Sequence, residues 1–297
     1  MIKRILNIHL LPVKYFPAFL GFILSRMIRK NMEFSYPEWV NFFLLSLMNS
    51  NSRYIAEDEK SITFYSNETF YNAIIRKYPS SDMMVYNHIF GDPKEYEIVC
   101  DTYNKYFKNE TLFIIDAGAN VGYASLYFSY KFPKSKIISI EPELSNYKSL
   151  LINIAENKLT NTITPLNKAL WFCNTTLSIF TENIREWGFT VSEVNDNNST
   201  VKTETITIND VLKTNRKTII NILKVDIEGA EFELFLDKER HADFIKNTEL
   251  VAMEIHDKKE KFEKIIANFS DNGFISFTSG ELTIFINTNL VNKTIPN

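Results

Sequence analysis

The amino-acid sequence predicts an α/β fold with a mostly parallel sheet covered on both faces. From residue 111 onward, short continuous apolar runs alternate with helical stretches, which is typical of strands buried on both faces. Acids and glycines follow several of these runs, at the strand ends where α/β sheets bind ligands. Hydrophobic residues make up 45% of the 297-residue chain and charged residues 23%, so a large core can be buried.

The first 110 residues are predicted to form a mainly helical extension that caps the active site, mediates dimerisation or contacts a membrane. Pro37 indicates a helix start, and residues 61–65 a short strand. Residues 1–30 contain six Lys or Arg and no acid. Their apolar run is too short for a spanning helix, which needs roughly 20 residues. Two interpretations stay open for this segment: a basic amphipathic segment on a membrane surface, and an extension docked on the protein or on a second subunit.

Residues 111–297 are predicted to form the ligand-binding domain, with a β-rich insertion at 175–210. The predicted strands cover 112–116, 136–141, 162–166, 221–226, 250–256, 274–277 and 282–286. The predicted helices cover 120–131, 143–158, a stretch from about 230, and 258–270.

Composition narrows the partners and the compartment. A net charge of −3 and a pI near 5.9 argue against nucleic acid as a partner. Cys100 and Cys173 cannot build a disulfide framework, and neither the cysteines nor the four histidines have the spacing of a zinc site. We therefore expect a cytoplasmic protein without a structural metal, peripheral at the inner membrane face if residues 1–30 bind lipid.

The first chemical motif is DAGANVG, from Asp116 to Gly122, directly after a strand and at the start of a helix. Gly118 would let the backbone approach a ligand, and Gly122 would let the helix pack closely on the strand. The spacing is not GxGxxG, and Asp116 would repel a pyrophosphate. An acid suits the amino group and sulfonium of S-adenosylmethionine, so the motif favours that cofactor over NAD, with a purely structural turn as the alternative.

The other motifs stand at the ends of later strands. Glu141, before Pro142, can accept hydrogen bonds from both hydroxyls of a ribose, or can simply precede a helix. Three acids cluster in LKVDIEGAE, where helix N-terminal acids are the simpler explanation for all but Asp226. Strand alternation places Glu254 and His256 on one face, a pairing suited to general-base chemistry.

In combination, DAGANVG, EP, the β-rich insertion, LKVDIEGAE and MEIH resemble the FkbM family of S-adenosylmethionine-dependent methyltransferases over roughly residues 111–286. The resemblance implies a Rossmann-like sheet of seven strands with an antiparallel last pair, and O-methylation of sugars or other polyhydroxylated products. The residues implied to bind the cofactor are Asp116, Gly118, Ala119, Asn120, Gly122, Glu141, Asn167 and Ala169. Those implied to face the acceptor are Asp226, Glu228, Glu254 and His256, with Trp187, Gly188 and Phe189 either shaping its pocket or forming a small cluster under a loop.

A sugar hydroxyl is a poor nucleophile, so a base or a metal ion must assist the transfer. One hypothesis assigns the proton to His256, oriented by an acid, or to Asp226. Its rival places a divalent cation such as Mg²⁺ between Asp226 and Glu254.

The acceptor is expected to be a small molecule or glycan, with a polysaccharide sugar or its nucleotide-linked precursor as the leading candidate. A homodimer is open. The alternative functions are a non-catalytic cofactor-binding module, against which the intact acids argue, and an NAD-dependent oxidoreductase, for which GxGxxG is missing.

Overall fold

The computed structural model describes residues 2–28, 35–180, 190–192, 201–236, 244–256 and 259–291. It consists of two compact units, Met1–Glu95 and Tyr96–Asn297. The division therefore falls earlier than the predicted boundary after residue 110. The intervening stretch holds an amphipathic helix that buries Val99 and Tyr103 within the second unit.

The first unit combines helices with a small antiparallel sheet. Its elements are α1 (Ile2–Leu6), α2 (Phe16–Met27), α3 (Tyr36–Asn49), β1 (Ser52–Glu57), β2 (Ser61–Ser66), β3 (Asn72–Arg76) and α4 (Asp82–Phe90), with 3-10 turns at Ile8–Leu10 and Val13–Tyr15. α3 begins where Pro37 predicts it, and the Ser35 side chain caps it by accepting from the Glu38 N–H. The core is aromatic, with ring centroids of Phe43 and Phe64 5.2 Å apart.

The sheet of the first unit has the order β1-β2-β3, whereas the sequence predicts only its middle strand. β2 alternates between half-buried and buried side chains, which gives it a clear period of two. β1 (SRYIAE) has no fully buried position, and β3 is only five residues long. The hydrophobic pattern is therefore absent in β1 and short in β3, so pairing with β2 rather than local sequence defines them. Within the described residues, no helix is long and apolar enough to cross a membrane.

The second unit is built on a seven-stranded sheet of order β13-β14-β12-β11-β4-β5-β6. The strands are β4 (Phe113–Ala117), β5 (Lys136–Ile140), β6 (Ile163–Leu166), β11 (Ile220–Val225), β12 (Thr248–Glu254), β13 (Phe274–Ser279) and β14 (Leu282–Asn287). The helices are α5 (Glu97–Tyr106), α6 (Tyr123–Lys131), α7 (Leu144–Glu156), α8 (Ile208–Asn215), α9 (Glu231–Phe235) and α10 (Lys259–Asp271).

The strand directions match the predicted Rossmann-like sheet. The neighbours from β6 to β12 are parallel, and β14 runs antiparallel to both β12 and β13. Every residue of β4 and β11 is buried, so the centre of the sheet is covered on both faces. Because the central strands are parallel, the carboxyl ends of β4, β5, β11 and β12 meet at one edge, where α/β sheets bind ligands.

The predicted β-rich insertion forms a separate four-stranded sheet of order β7-β10-β8-β9. Its strands are β7 (Ala169–Leu170), β8 (Thr176–Phe180), β9 (Thr190–Ser192) and β10 (Val201–Ile206). The predicted acceptor-pocket trio Trp187, Gly188 and Phe189 lies outside the described residues.

Candidate active site

A cleft opens at the carboxyl ends of β4, β5 and β11. Four of the residues predicted to bind the cofactor line it, Gly118, Asn120, Glu141 and Ala169, together with Asp226 and Glu228 of the predicted acceptor set. Ile140, Pro142, Asn146, Leu170 and Ile227, which the motifs did not indicate, complete the wall. The cleft thus has apolar sides for a flat ring and polar groups along its floor.

The glycine turn after β4 fits between neighbouring backbone segments. Gly118 has φ +74°, and a Cβ there would lie 1.7 Å from the carbonyl oxygen of Asp226. Gly122 has φ +93°, and a Cβ there would lie 2.5 Å from Leu150 Cδ1 on α7. Ala119 is buried, and its N–H donates to the Ile140 carbonyl at 3.0 Å. The glycines therefore allow close contacts within the chain, of Gly118 with the residue after β11 and of Gly122 with α7, and the predicted approach of Gly118 to a ligand stays a prediction.

Glu141 supplies a buried carboxylate at the end of β5. Its two oxygens accept from the N–H groups of Asn120, at 2.8 Å, and Glu143, at 2.9 Å. Burial raises the pKa of Glu141 to about 7, against the lowering effect of these hydrogen bonds. Each oxygen keeps a lone pair free of those bonds, so the carboxylate can accept from a vicinal diol in the cleft.

Asn120 provides a second polar group for a ligand. It adopts the left-handed conformation, with φ +50°, which asparagine tolerates better than most residues. Its Oδ1 atom is buried and has no hydrogen-bond partner. A buried acceptor without a donor costs free energy, and a bound amino or hydroxyl group would satisfy it.

Asp116 lies behind the cleft rather than in its wall. The residue is fully buried, its Oδ2 accepts from Ser125 Oγ at 2.5 Å, and its Oδ1 lies 3.2 Å from Lys224 Nζ. Ser139 Oγ, 2.6 Å from Ser125 Oγ, extends the network. Ser139, Asp116 and Lys224 are direct neighbours in register on β5, β4 and β11. Asp116 therefore supports the turn from behind the cleft, and its predicted contact with the sulfonium and amino groups stays a prediction.

Lys224 is a positioning residue that the motif contained but that the sequence reasoning left without a role. Its ammonium group is almost fully buried, and it donates to the Gly118 carbonyl at 2.6 Å. It also lies 3.6 Å from Asp226 Oδ2. The lysine thus ties the glycine turn to the end of β11 and neutralises charge on both sides. A basic residue inside an otherwise apolar strand was the signal for it.

Asn167 also supports the cleft from outside. Its side-chain amide donates to the carbonyl oxygens of Glu141, at 2.9 Å, and Pro142, at 3.0 Å. It therefore fixes the loop after β5, whereas Ala169 is in the wall of the cleft, and the cofactor contacts implied for both residues stay predictions.

The predicted acceptor residues converge on His256. Its Nε2 atom lies 3.1 Å from Glu254 Oε1, 3.5 Å from Glu228 Oε2 and 3.9 Å from Asp226 Oδ1. Its Nδ1 atom lies 3.2 Å from Glu231 Oε1. We call these five residues the acid–histidine cluster. Two of its members, Asp226 and Glu228, face the cleft, so the cluster adjoins any molecule bound there.

Electrostatics in the cluster favour a protonated histidine among crowded carboxylates. Burial alone would lower the pKa of His256, but hydrogen bonds to Glu231 and Glu254 raise it to about 11. Burial, followed by repulsion from Asp226, raises the pKa of Glu228 to about 7. Burial also raises the pKa of Asp226, against the effect of Lys224. At neutral pH the imidazole therefore carries its proton, and a carboxylate is the better candidate base.

Glu231 orients the cluster, although the sequence analysis interpreted it only as an acid at a helix N-terminus. Its side chain is 1% exposed and accepts from the N–H groups of Ile227 and Gly229, at 3.2 and 3.0 Å. Glu228 adopts φ +54° in the same turn, which directs the chain into α9. A glutamate that both caps this turn and binds His256 fixes the imidazole relative to the cleft.

Three members of the cluster could also hold a metal ion. Asp226, Glu254 and His256 each present one ligand atom, and these atoms lie within 4.8 Å of one another. Two carboxylates and an imidazole suit a divalent cation. The geometry therefore agrees with the cation hypothesis as well as with the carboxylate base.

Comparison with known proteins adds a family to this geometry. The family model described as Methyltransferase FkbM domain matches residues 116–276, which is more than half of the chain. The match begins at the strand end that carries Asp116 and extends past the acid–histidine cluster into β13.

Two fungal proteins are similar to the chain in sequence. Methyltransferase sdnD of Sordaria araneosa is 28% identical over 192 residues, covering 54% of this chain and 73% of that protein. Methyltransferase 1 of Beauveria bassiana (strain ARSEF 2860) is 26% identical over 182 residues, covering 54% of this chain and 72% of that protein.

Solved structures match at lower sequence identity. The Methyltransferase FkbM from Methylobacillus flagellatus KT gives a TM-score of 0.41 at 12% identity, covering 69% of this chain. The chain spans about half of that protein, 54% of its length. The N-terminal domain of human METTL16 in complex with SAH gives a TM-score of 0.44 at 10% identity, covering 85% of this chain and 82% of that one.

Proposed function

Because the chain belongs to the methyltransferase FkbM domain family and is an S-adenosylmethionine-dependent methyltransferase, we propose that it methylates a hydroxyl oxygen of a sugar or a similar polyhydroxylated acceptor. Family membership removes the two alternatives weighed from the sequence, an NAD-dependent oxidoreductase and a non-catalytic module. Our proposal adds the chemical class of the acceptor to this activity.

The acid–histidine cluster is the observation that carries this proposal. Four carboxylates around one imidazole offer many hydrogen-bond acceptors and few donors, which suits a molecule rich in hydroxyl groups. The same charge repels a phosphate or a carboxylate placed directly against it. We therefore propose that the neutral sugar ring of the acceptor lies against the cluster, and that any phosphate of a nucleotide-linked precursor lies away from it.

The cleft residues fit the cofactor. Glu141 can accept from both ribose hydroxyls, and Asn120 Oδ1 is a buried acceptor that lacks a donor. Ile140, Leu170 and Ile227 can pack against the adenine ring. When bound, S-adenosylmethionine supplies an electrophilic sulfonium methyl group, which suits the acid-lined end of the cleft where Asp226 and Glu228 lie.

The residues of the cluster then divide the work on the acceptor hydroxyl. A carboxylate that faces the cleft, Asp226 or Glu228, takes the hydroxyl proton, and the oxygen would accept the methyl group as its bond to the sulfur of S-adenosylmethionine breaks, which leaves S-adenosylhomocysteine. The His256 imidazolium holds the carboxylates in place, and Lys224 holds Asp226 against the glycine turn. Positioning of the oxygen contributes as well, since alignment alone is worth several kcal/mol.

A divalent cation held by Asp226, Glu254 and His256 is the alternative means of activating the same hydroxyl. The two mechanisms differ in one measurable respect. Turnover that survives exhaustive treatment with EDTA supports the carboxylate base, whereas turnover that is abolished and then restored by added Mg²⁺ or Mn²⁺ supports the cation.

The test of the acceptor class is a screen of the full chain with radiolabelled methyl donor. The panel contains neutral sugars, nucleotide-linked sugars and, for comparison, primary amines. We expect label in sugars only, and no label in the deoxy analogue that lacks the methylated hydroxyl. Label confined to the amines would contradict the proposal, which assigns the methyl group to a hydroxyl oxygen. A neutral amine needs no base of this kind.

A further inference from the structure

The first 28 residues expose an unusual amount of apolar surface. Nineteen large hydrophobic side chains are exposed in the described part of the chain, and nine of them lie in residues 2–28. They are Ile2, Ile5, Leu6, Leu10, Val13, Leu20, Leu24, Met27 and Ile28. Isolated exposed hydrophobic residues need no explanation, but such a concentration marks an interaction surface.

Helix α2 is apolar on two faces. Its inner face packs in the first unit, where Phe19, Phe22 and Ile23 are buried. Leu20, Leu24 and Met27 follow at spacings of four and three residues, so they form one outer stripe, and they are 55%, 58% and 69% exposed. We call this stripe the outer face of α2. The inner face already accounts for docking of the segment, so the outer face requires another partner.

The charge of the segment indicates which partner. Residues 1–30 carry six Lys or Arg, and the first acid of the chain is Glu33. Lys14 pairs with Glu57, and Arg26 lies 4.0 Å from Glu38, but the two cations remain 56% and 57% exposed. Apolar side chains next to exposed cations suit a surface that is apolar below and anionic above.

We propose that residues 2–28 bind the surface of an anionic lipid bilayer, with the outer face of α2 inserted at the boundary of headgroups and acyl chains. A second copy of the chain is a poorer occupant, because an isologous contact would place the same cationic segments against each other. A zwitterionic bilayer would accept the apolar stripe but would leave the cations without partners.

An open groove beside the segment agrees with a phospholipid. Its lining includes Leu10, Leu11 and Leu47, together with Arg53. The Arg53 guanidinium lies 4.7 Å from the centroid of the Tyr65 ring, which holds it in place. Apolar walls and a fixed guanidinium match an acyl chain and its phosphate.

The test is co-sedimentation of the full chain with two kinds of vesicle, phosphatidylcholine alone and phosphatidylcholine mixed with phosphatidylglycerol. We expect binding to the mixed vesicles only, and weaker binding as the salt concentration rises from about 0.1 M to about 1 M. The double variant Leu20→Glu and Leu24→Glu should lower binding at least about tenfold, because two charges would enter the apolar boundary.

The matched control replaces two exposed apolar residues of the second unit, Ile152→Glu and Ile275→Glu, which are 53% and 50% exposed. It should bind the vesicles as the unchanged chain does. Circular dichroism and S-adenosylhomocysteine binding check that both variants fold. Equal loss in both variants, or no binding to mixed vesicles by the unchanged chain, would overturn the proposal. So would a dimer that dissociates only in the Leu20/Leu24 variant while no form binds lipid, since a second copy would then cover this face.

Discussion

The two halves of the sheet edge differ in the partners that their carboxylates have. At the ends of β4 and β5, the acids have fixed partners: Asp116 pairs with Lys224, which also lies near Asp226, and Glu141 accepts from two backbone N–H groups. At the ends of β11 and β12, four carboxylates share His256. The first half can hold a cofactor in a fixed geometry, and the second half keeps charge available for a reaction.

This difference has a physical origin in the neighbouring groups. Backbone N–H groups and a buried lysine stabilise a carboxylate without adding mobility, so the cofactor half is preorganised. Burial, followed by repulsion from Asp226, raises the pKa of Glu228 to about 7, and a carboxylate with such a pKa is suited to proton transfer near neutral pH.

The largest expected effect comes from a variant at the ends of β11 and β12, which we call the reactive half. Asp226→Asn keeps the size of the side chain but removes the charge that faces the cleft. Turnover of the acceptor should fall by about 10²- to 10⁴-fold, the usual range for loss of an acid–base group. Binding of S-adenosylhomocysteine, measured by titration calorimetry, should hardly change because its sulfur is uncharged.

The control for this variant is Glu110→Gln, which removes an exposed acid that pairs with Lys134. Its turnover should match that of the unchanged protein. If Asp226→Asn lowered cofactor binding and left turnover intact, the assignment of this residue to the reactive half would be wrong.

The second largest expected effect is on the free energy of unfolding. Loss of a charge should lower it when the Asp116–Lys224 pair is broken but not when a carboxylate of the acid–histidine cluster is removed. Lys224→Met removes a buried cation and leaves Asp116 buried without its counter-charge. Breaking a buried pair in this way costs about 3–5 kcal/mol of unfolding free energy. Glu228→Gln, in contrast, relieves repulsion in the acid–histidine cluster, so stability at pH values above the pKa of Glu228 should not fall. Denaturant unfolding of both variants measures the difference.

The double variant Asp116→Asn with Lys224→Met tests the cause. It should recover part of the loss, because the buried charge then disappears with its partner. A double variant that is as unstable as the sum of the single ones would show that the two side chains do not interact.

The smallest effect is a pH dependence that belongs to the cofactor half. With a pKa of about 7, Glu141 becomes protonated below neutrality and then accepts hydrogen bonds from the ribose less well. Affinity for S-adenosylhomocysteine should fall about tenfold from about pH 8 to about pH 6, since roughly a tenth of the carboxyl is ionised one unit below its pKa. Glu141→Gln should bind more weakly at pH 8 and show a flatter profile.

Folding stability changes in the opposite direction with pH. The pKa of Glu141 in the folded protein lies above its ordinary value of 4.5, so the folded state binds the proton more readily than the unfolded state does. The contribution of this group to stability therefore falls as the pH rises from about 4.5 to about 7. A ligand-free protein whose melting temperature responds equally in Glu141→Gln would contradict this assignment.

Local sequence was sufficient for most of the fold and for the place of the site. Continuous apolar runs predicted the central strands, and the DAGANVG motif predicted the strand–turn–helix in which a Cβ at Gly118 or Gly122 would collide with its neighbours. The strands β1 and β3 escaped prediction, since β1 buries no side chain fully, β3 is only five residues long, and both depend on pairing with β2.

The sequence by itself determined the succession along the chain of the seven strands of the main sheet, and which acids stand at their ends. Both follow from neighbours along the chain. Only the tertiary structure decided that Asp116 lies behind the cleft and that Lys224 neutralises it, because these contacts arise from register between β4 and β11. The same holds for Glu231, which reaches His256 from 25 residues away. Charge balance across strands depends on distances in space, and sequence spacing alone does not contain them.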